Sequence, residues 1–271
     1  MNTRQRFEGL VSLVTGSTGM AAAAATAIAA EGGAVFVVSR TADHARALSE
    51  SIGRAGGRSA WHAADLAQEE GAESAVAACV AAFGRLDCLY NVAGISGRRL
   101  GDGPLHEVTL EGWSKVMAAN VTSTFLVSRA GVRQMLDQEA AASGARGAIL
   151  NMSSVLAESP APTFFATHAY AASKGAIESF SRAVAAYYAG RRIRVNVIAP
   201  ALVDTPMSER AQSDPEILAY LAHKQPLAGG PIRAEDVTAT ALFLLSDDAP
   251  MVTGQIVAVD GGWSVSEPRT G

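Results

Sequence analysis

Short apolar runs alternate along this chain with longer stretches whose apolar positions recur at helical spacing. Leu10 to Thr15 is the first run, and helix formers follow a glycine-rich turn as far as Glu31, where Gly32-Gly33 stop them. Ala34 to Ser39 is a second strand and Arg58 to His62 a third, followed by a helix from Gln68 to Phe83. Leu86 to Tyr90 predicts a fourth strand, running into Asn91-Val-Ala-Gly94. Helical stretches around Thr109 to Ala118 and Asn120 to Leu136 lead to a buried strand end at Ile149 to Met152. A long alanine-rich helix covers Ala169 to Gly190, then come a strand at Ile193 to Ile198, a helix at Ala234 to Leu245 and a last strand at Gln255 to Val259. Strands that alternate with helices predict an α/β fold: one doubly wound parallel sheet of about seven strands, covered by helices on both faces. No linker, repeat or low-complexity break divides residues 1–271, which read as one domain ending in a frayed tail from Glu267 to Gly271.

Composition narrows the class. A 271-residue chain that is 49% hydrophobic and 18% charged buries a large core and is not a disordered segment. Its net charge of −4, with no basic stripe, argues against nucleic acid as a partner. The two cysteines, Cys79 and Cys88, have neither metal-ligand spacing nor a disulfide pattern, which suits a reducing cytoplasm. The N-terminal residues are not followed by an apolar run long enough for a signal peptide, and Met20 to Ala30 is too short to span a bilayer. A cytoplasmic protein without a membrane partner or catalytic metal is expected.

Two places carry chemistry. The first is the turn Gly16-Ser17-Thr18-Gly19-Met20-Ala21 between the first strand and its helix. Small residues there let the backbone approach a pyrophosphate, and the helix N-terminus offers N–H donors and the positive end of its dipole. The second is Tyr170-Ala-Ala-Ser-Lys174. Four residues apart on a helix, the phenol and the ammonium share a face. A close ammonium favours the phenolate and is expected to lower the tyrosine pKa toward working pH, so that Tyr170 can give or take a proton. The chain uses nineteen arginines against three lysines, which makes a lysine here a departure from its habit.

Thr15-Gly16-x-x-Gly19, Asn91-x-Ala93-Gly94, Ser154, Tyr170-x-x-x-Lys174, Pro200 and the ending Val252-Thr-Gly-Gln…Val-Asp-Gly-Gly262 occur in one order and cover nearly the whole chain. Together they resemble the short-chain dehydrogenase/reductase family, whose fold is of the Rossmann type. The resemblance implies a catalytic tetrad of Asn120, Ser154, Tyr170 and Lys174. Tyr170 would be general acid or base, and Ser154 would hydrogen-bond the substrate oxygen. Lys174 would lower the tyrosine pKa and hold the nicotinamide ribose, while Asn120 would hold a water relay to Lys174. By the same resemblance the cofactor lies along Gly16, Ser17, Thr18, Gly19, Met20, Ser39, Arg40, Asp65, Leu66, Asn91, Ala93, Gly94, Tyr170, Lys174, Pro200, Val203 and Thr205. A homo-oligomer, in the family's usual form a tetramer, is implied through the helices after Trp113 and Tyr170; the alanines Ala183, Ala185, Ala186 and Ala189 would permit close helix contact.

Several positions depart from the family pattern. The glycine-rich loop is one residue short, and Ala21 replaces its third glycine. Val92 replaces a second asparagine, and Ala201 a glycine. The stretch between Ser154 and Tyr170 is about three residues longer than usual. Where an NAD-binding fold places an acid about twenty residues past the glycines, this chain reads Val38-Ser39-Arg40-Thr41. The missing acid, with Arg40 beside it, favours NADP over NAD. Substrate loops are expected at 94–106, 155–169 and 203–232, with Leu156, Phe164, Phe165 and Met207 making an apolar pocket for a carbonyl or alcohol. Arg98 and Arg99 could meet an anionic substrate or simply lie on an exposed loop. Two further readings stay open: a nucleotide-sensing protein of the same fold without turnover, and an NAD-dependent alcohol dehydrogenase.

Overall fold

In a computed structural model of the chain, which describes residues 5–267, seven strands form one parallel sheet in the order β3-β2-β1-β4-β5-β6-β7. They are β1 (Val11–Thr15), β2 (Ala34–Ser39), β3 (Arg58–Ala63), β4 (Cys88–Asn91), β5 (Gly147–Met152), β6 (Ile193–Pro200) and β7 (Ile256–Val259). The helices are α1 (Gly19–Ala30), α2 (Ala42–Arg54), α3 (Glu69–Phe83), α4 (Leu110–Met117), α5 (Ser123–Asp137), α6 (Pro162–Phe165), α7 (His168–Tyr188), α8 (Glu209–Gln212), α9 (Pro215–Lys224) and α10 (Ala234–Leu245). Of the tail read as frayed, residues 268–271 lie outside the described part.

Period-two alternation in the strands sorts the core into two layers. Val14, Val35, Val37, Tyr90 and Leu150 face α1, α2 and α10; Leu13, Phe36, Val38, Leu89 and Ile149 face α3 and α5. Each layer also contains one free cysteine, Cys88 in the first and Cys79 in the second, and burial pushes both thiols up to about 12. Residues 155 and 161 with Ile217, Leu221 and Trp263 make a third cluster, beyond the carboxyl ends of the strands.

Three regions differ from the sequence expectation. The segment between β2 and β3 holds a full helix, α2, in which only Ala45, Ser49 and Ile52 are buried. The expected loop at 203–232 contains α8 and α9, the latter capped by Asp214, whose Oδ1 accepts from Glu216 N at 3.0 Å, with Pro215 in its first turn. The helix read as starting at Asn120 is preceded by a π-helical turn, Ala118–Thr122, with Asn120 at its centre. Such turns often mark functional sites because they re-aim one side chain.

Candidate active site

Strand order reverses between β1 and β4, so the loops leaving them part and open a crevice at their carboxyl ends. Thr15 holds the two strand ends together there: its hydroxyl accepts from Val92 N at 3.0 Å and Ala93 N at 3.1 Å. A cleft of about 740 Å³ runs across this point. Gly16, Ser17, Thr18, Gly19, Met20, Ser39, Arg40, Asp65, Leu66, Ala93, Gly94 and Thr205, all among the expected cofactor residues, line it. Asn91 does not. Its Nδ2 donates to Asn151 Oδ1 at 2.8 Å and Ser128 Oγ at 3.1 Å inside the sheet, and the wall begins at Val92.

This cleft fits a dinucleotide. At the start of α1, Thr18 makes no side-chain cap and no acid occupies the first turn, so the N–H groups and dipole face the cleft without a competing anion. Gly19 has φ +53°, and a Cβ there would lie 2.9 Å from Thr205 Cγ2, so the shortened loop has room only for glycine at this place. At the far end, Ser39 Oγ accepts from Thr41 N at 3.3 Å, and Arg40 is exposed and forms no ion pair among the described residues. The sequence reading missed His44, four residues beyond Arg40 on α2, and Lys115 and Ser123, which also line the cleft.

A smaller cavity of about 170 Å³ joins the cleft through Met20, Gly94 and Thr205. Ser154, Tyr170, Lys174, Pro200 and Val203 line it, with Leu156, Phe165 and Trp263 as apolar walls. Ser154 sits just past β5 in extended backbone, and Tyr170 and Lys174 project from the first two turns of α7. Burial raises the Tyr170 phenol above its ordinary value, and a hydrogen bond with the Ser154 hydroxyl draws it part of the way back. Lys174 is buried, donates from Nζ to Met152 O at 2.9 Å, and is pushed down to about 8 by burial. The expected lowering of the tyrosine by the lysine is not seen in this structure: burial of the phenol sets the direction upward, the opposing influence is the Ser154 hydrogen bond, and Lys174, with Nζ 5.4 Å from the ring centre, is itself held toward its neutral form.

Asn120 lines neither cavity. Its Oδ1 accepts from Ile95 N at 2.8 Å, and its Nδ2 donates to Ile95 O at 3.1 Å and Ser173 Oγ at 2.9 Å. The side chain thus ties the loop after β4 to α7. A Cβ on Gly94 would lie 2.9 Å from this amide oxygen and 3.7 Å from Lys174 Nζ. The start of α7 has a partner the sequence did not suggest: Asp102, from the 94–106 loop, accepts from Ala169 N and Tyr170 N, each at 2.9 Å.

A protein-family model described as enoyl-(acyl carrier protein) reductase matches residues 14–264. The 2,5-dichloro-2,5-cyclohexadiene-1,4-diol dehydrogenase of Sphingobium indicum is 34% identical over 263 residues, 96% of this chain and 98% of that protein. A short-chain type dehydrogenase/reductase from Mycobacterium ulcerans has a TM-score of 0.87 at 29% identity, covering 97% of this chain and 92% of that one. The chain belongs to the short-chain dehydrogenase/reductase family. A further structure, assigned as an NAD(P)-dependent gluconate 5-dehydrogenase from Beutenbergia cavernae and holding NADP at low occupancy, has a TM-score of 0.84 at 35% identity over 96% of this chain and 98% of that one.

As a short-chain dehydrogenase/reductase, the chain is an NAD(P)-dependent oxidoreductase acting on alcohol and carbonyl groups. No helix among the described residues is long and apolar enough to cross a membrane, and no group of three or more His, Cys, Asp or Glu among them could hold a metal ion.

Proposed function

We propose that this protein transfers a hydride between NADP(H) and a small secondary alcohol or ketone, with Tyr170 as general acid and base. The observation that carries the reading is the convergence of Ser154, Tyr170 and Lys174 in the cavity that opens from the dinucleotide cleft. Bound NADP(H) would supply or accept the hydride. In the reducing direction, the Ser154 hydroxyl orients the carbonyl oxygen and the neutral Tyr170 phenol gives it a proton. In oxidation the phenolate takes that proton back. Lys174, anchored at Met152 O, would hold the cofactor ribose with its remaining donors, and Asn120 braces the loop against α7. Leu156, Phe165 and Trp263 give the substrate's carbon skeleton apolar surface to pack against.

Selection of NADP rests on the end of β2, where Ser39 and Arg40 stand without an acid. A 2′-phosphate gains from the unpaired guanidinium, whereas a carboxylate at this place would repel it. The unit of function is the whole chain as one domain, with residues 94–106, 155–169 and 203–232 over the substrate, and it works in the cytoplasm: a fluorescently tagged chain should fill the cell interior evenly, and a signal confined to the cell periphery would overturn this.

Tyr170→Phe keeps the ring and removes the proton donor. kcat should fall by about 10²–10⁴-fold in a ketone panel followed by NADPH absorbance, with NADPH affinity almost unchanged. Near-parental turnover in that variant would overturn the mechanism. Ser39→Asp should shift the kcat/KM preference toward NADH; equal use of both cofactors by the parent protein would remove Ser39 and Arg40 from cofactor selection. An NADPH-binding protein that turns over no ketone or alcohol in the panel would favour a nucleotide sensor.

A further inference from the structure

The three loops over the smaller cavity meet at a single atom, the main-chain oxygen of Phe164. Arg98 Nη1 donates to it at 3.3 Å and Arg210 Nη2 at 3.4 Å. One arginine comes from the loop after β4 and the other from the short α8, 112 positions later in the chain, so nothing local places them together. Both side chains line the cavity that contains Ser154 and Tyr170.

Two guanidinium groups sharing one neutral acceptor repel each other. Both arginines are exposed at the cavity rim; partial desolvation first, and the charge of Arg210 second, hold Arg98 below its ordinary pKa, with Asp102 acting in the opposite direction. Asp102 forms no ion pair with either arginine; its two oxygens accept from Ala169 N and Tyr170 N. Glu209 precedes Arg210 in the chain, but neither arginine forms an ion pair among the described residues. Each has donors beyond the one committed to Phe164, and a guanidinium presents them in a planar fork that matches a carboxylate, sulfonate or phosphate.

We infer that Arg98 and Arg210 form a seat for an anionic group on the substrate, which is therefore a small hydroxy or keto compound carrying a carboxylate, sulfonate or phosphate. The inference rests on the oxidoreductase reading of the same cavity and adds the substrate's charge. Arg98 and Arg210 line the same cavity as Ser154 and Tyr170, so a single small molecule can reach the proposed proton donor and the anion seat together. An anion here would relieve the repulsion between the arginines and fix the reacting carbon at one distance from Tyr170.

The test uses the NADPH-loaded full chain, titrated by calorimetry at fixed ionic strength with butanoate, propane-1-sulfonate, propylphosphonate and uncharged butanamide. At least one anion should bind about tenfold or more tightly than the amide, and the ranking among the three names the group. Arg98→Gln and Arg210→Gln should each narrow the gap, and the double variant should close it. Arg98→Lys with Arg210→Lys keeps both charges and should retain part of the preference; it serves as the decisive variant should the double glutamine form lose NADPH binding. Equal binding of anions and amide by the parent protein, no anion binding at millimolar concentration, or a preference that survives both double variants undiminished would overturn the inference. Separately, 4-oxopentanoate and 4-oxopentanamide are compared as substrates. Turnover without charge preference would sink the anion seat alone, whereas anion binding without turnover of any ketone would sink the catalytic reading alone.

Discussion

Burial drives both Tyr170 and Lys174 toward their uncharged forms, which has opposite consequences for the two directions of reaction. A phenol held above its ordinary pKa is protonated at neutral pH and ready to donate, so ketone reduction should be active there and decline in alkali. Alcohol oxidation needs the phenolate and should rise with pH. Lys174 adds a stability signature. Its folded pKa is about 8 against the ordinary 10.5. Below about pH 8 both folded and unfolded chains carry the proton, and the buried ammonium opposes folding in full. Between about 8 and 10.5 only the unfolded chain keeps it, so this opposition fades as pH rises. The stability difference between the parent and Lys174→Met should therefore move in the parent's favour by on the order of 3 kcal/mol across that window. Urea unfolding of both proteins at several pH values measures it; a constant difference would mean that Lys174 is not destabilised by burial.

At the scale of elements, the start of α7 matters most, because Tyr170 lies in its first turn and its own N-cap residue, Thr167, makes no side-chain cap. The buried Asp102 supplies the missing acceptors from another loop. Asp102→Ala should cost about 1–2 kcal/mol of stability and lower kcat while leaving NADPH affinity intact, with Asp102→Asn recovering part of both. Unchanged kcat in Asp102→Ala would show that this contact does not position Tyr170. Other elements show where sequence reading succeeds and fails. The bounds of β2 and α10 coincide with the expected ones because strong apolar patterning is punctuated at both ends. Helix α2 is hard to read because only a thin stripe of it is buried, and α9 because it lies in a rim segment, although Asp214-Pro215 is a readable start signal. Ser154, Tyr170 and Lys174 could be found from motif and spacing. Asp102 and Arg210 could not, since each acts on residues 46 or more positions away.

Over the whole molecule, the expected alanine stripe on α7 divides. Ala185 is buried against the sheet, whereas Ala183, Ala186 and Ala189 are exposed beside Tyr187, which is 74% accessible. On the neighbouring α5, Phe125 is 40% exposed and packs edge-on against Phe180 of α7 at 6.2 Å. Phe125, Tyr187 and the exposed alanines leave apolar side chains on these helices free to meet another copy of the chain, and we propose the expected homo-oligomer, in tetrameric form, through them. Light scattering at micromolar concentration should give four times the chain mass; a monomer would exclude the arrangement.

The sheet's two covered faces also give the protein a pair of internal reporters. Cys88 belongs to the layer beneath α1 and α10, and Cys79 to the layer beneath α3 and α5. With both thiols fully shielded and far from ionised at neutral pH, an alkylating reagent can reach either one only when its own layer opens. Labelling followed by peptide mass analysis would time the opening of each layer separately. Equal rates would mean that the sheet and both helical coats come apart as one unit, and unequal rates would identify the coat that loosens first.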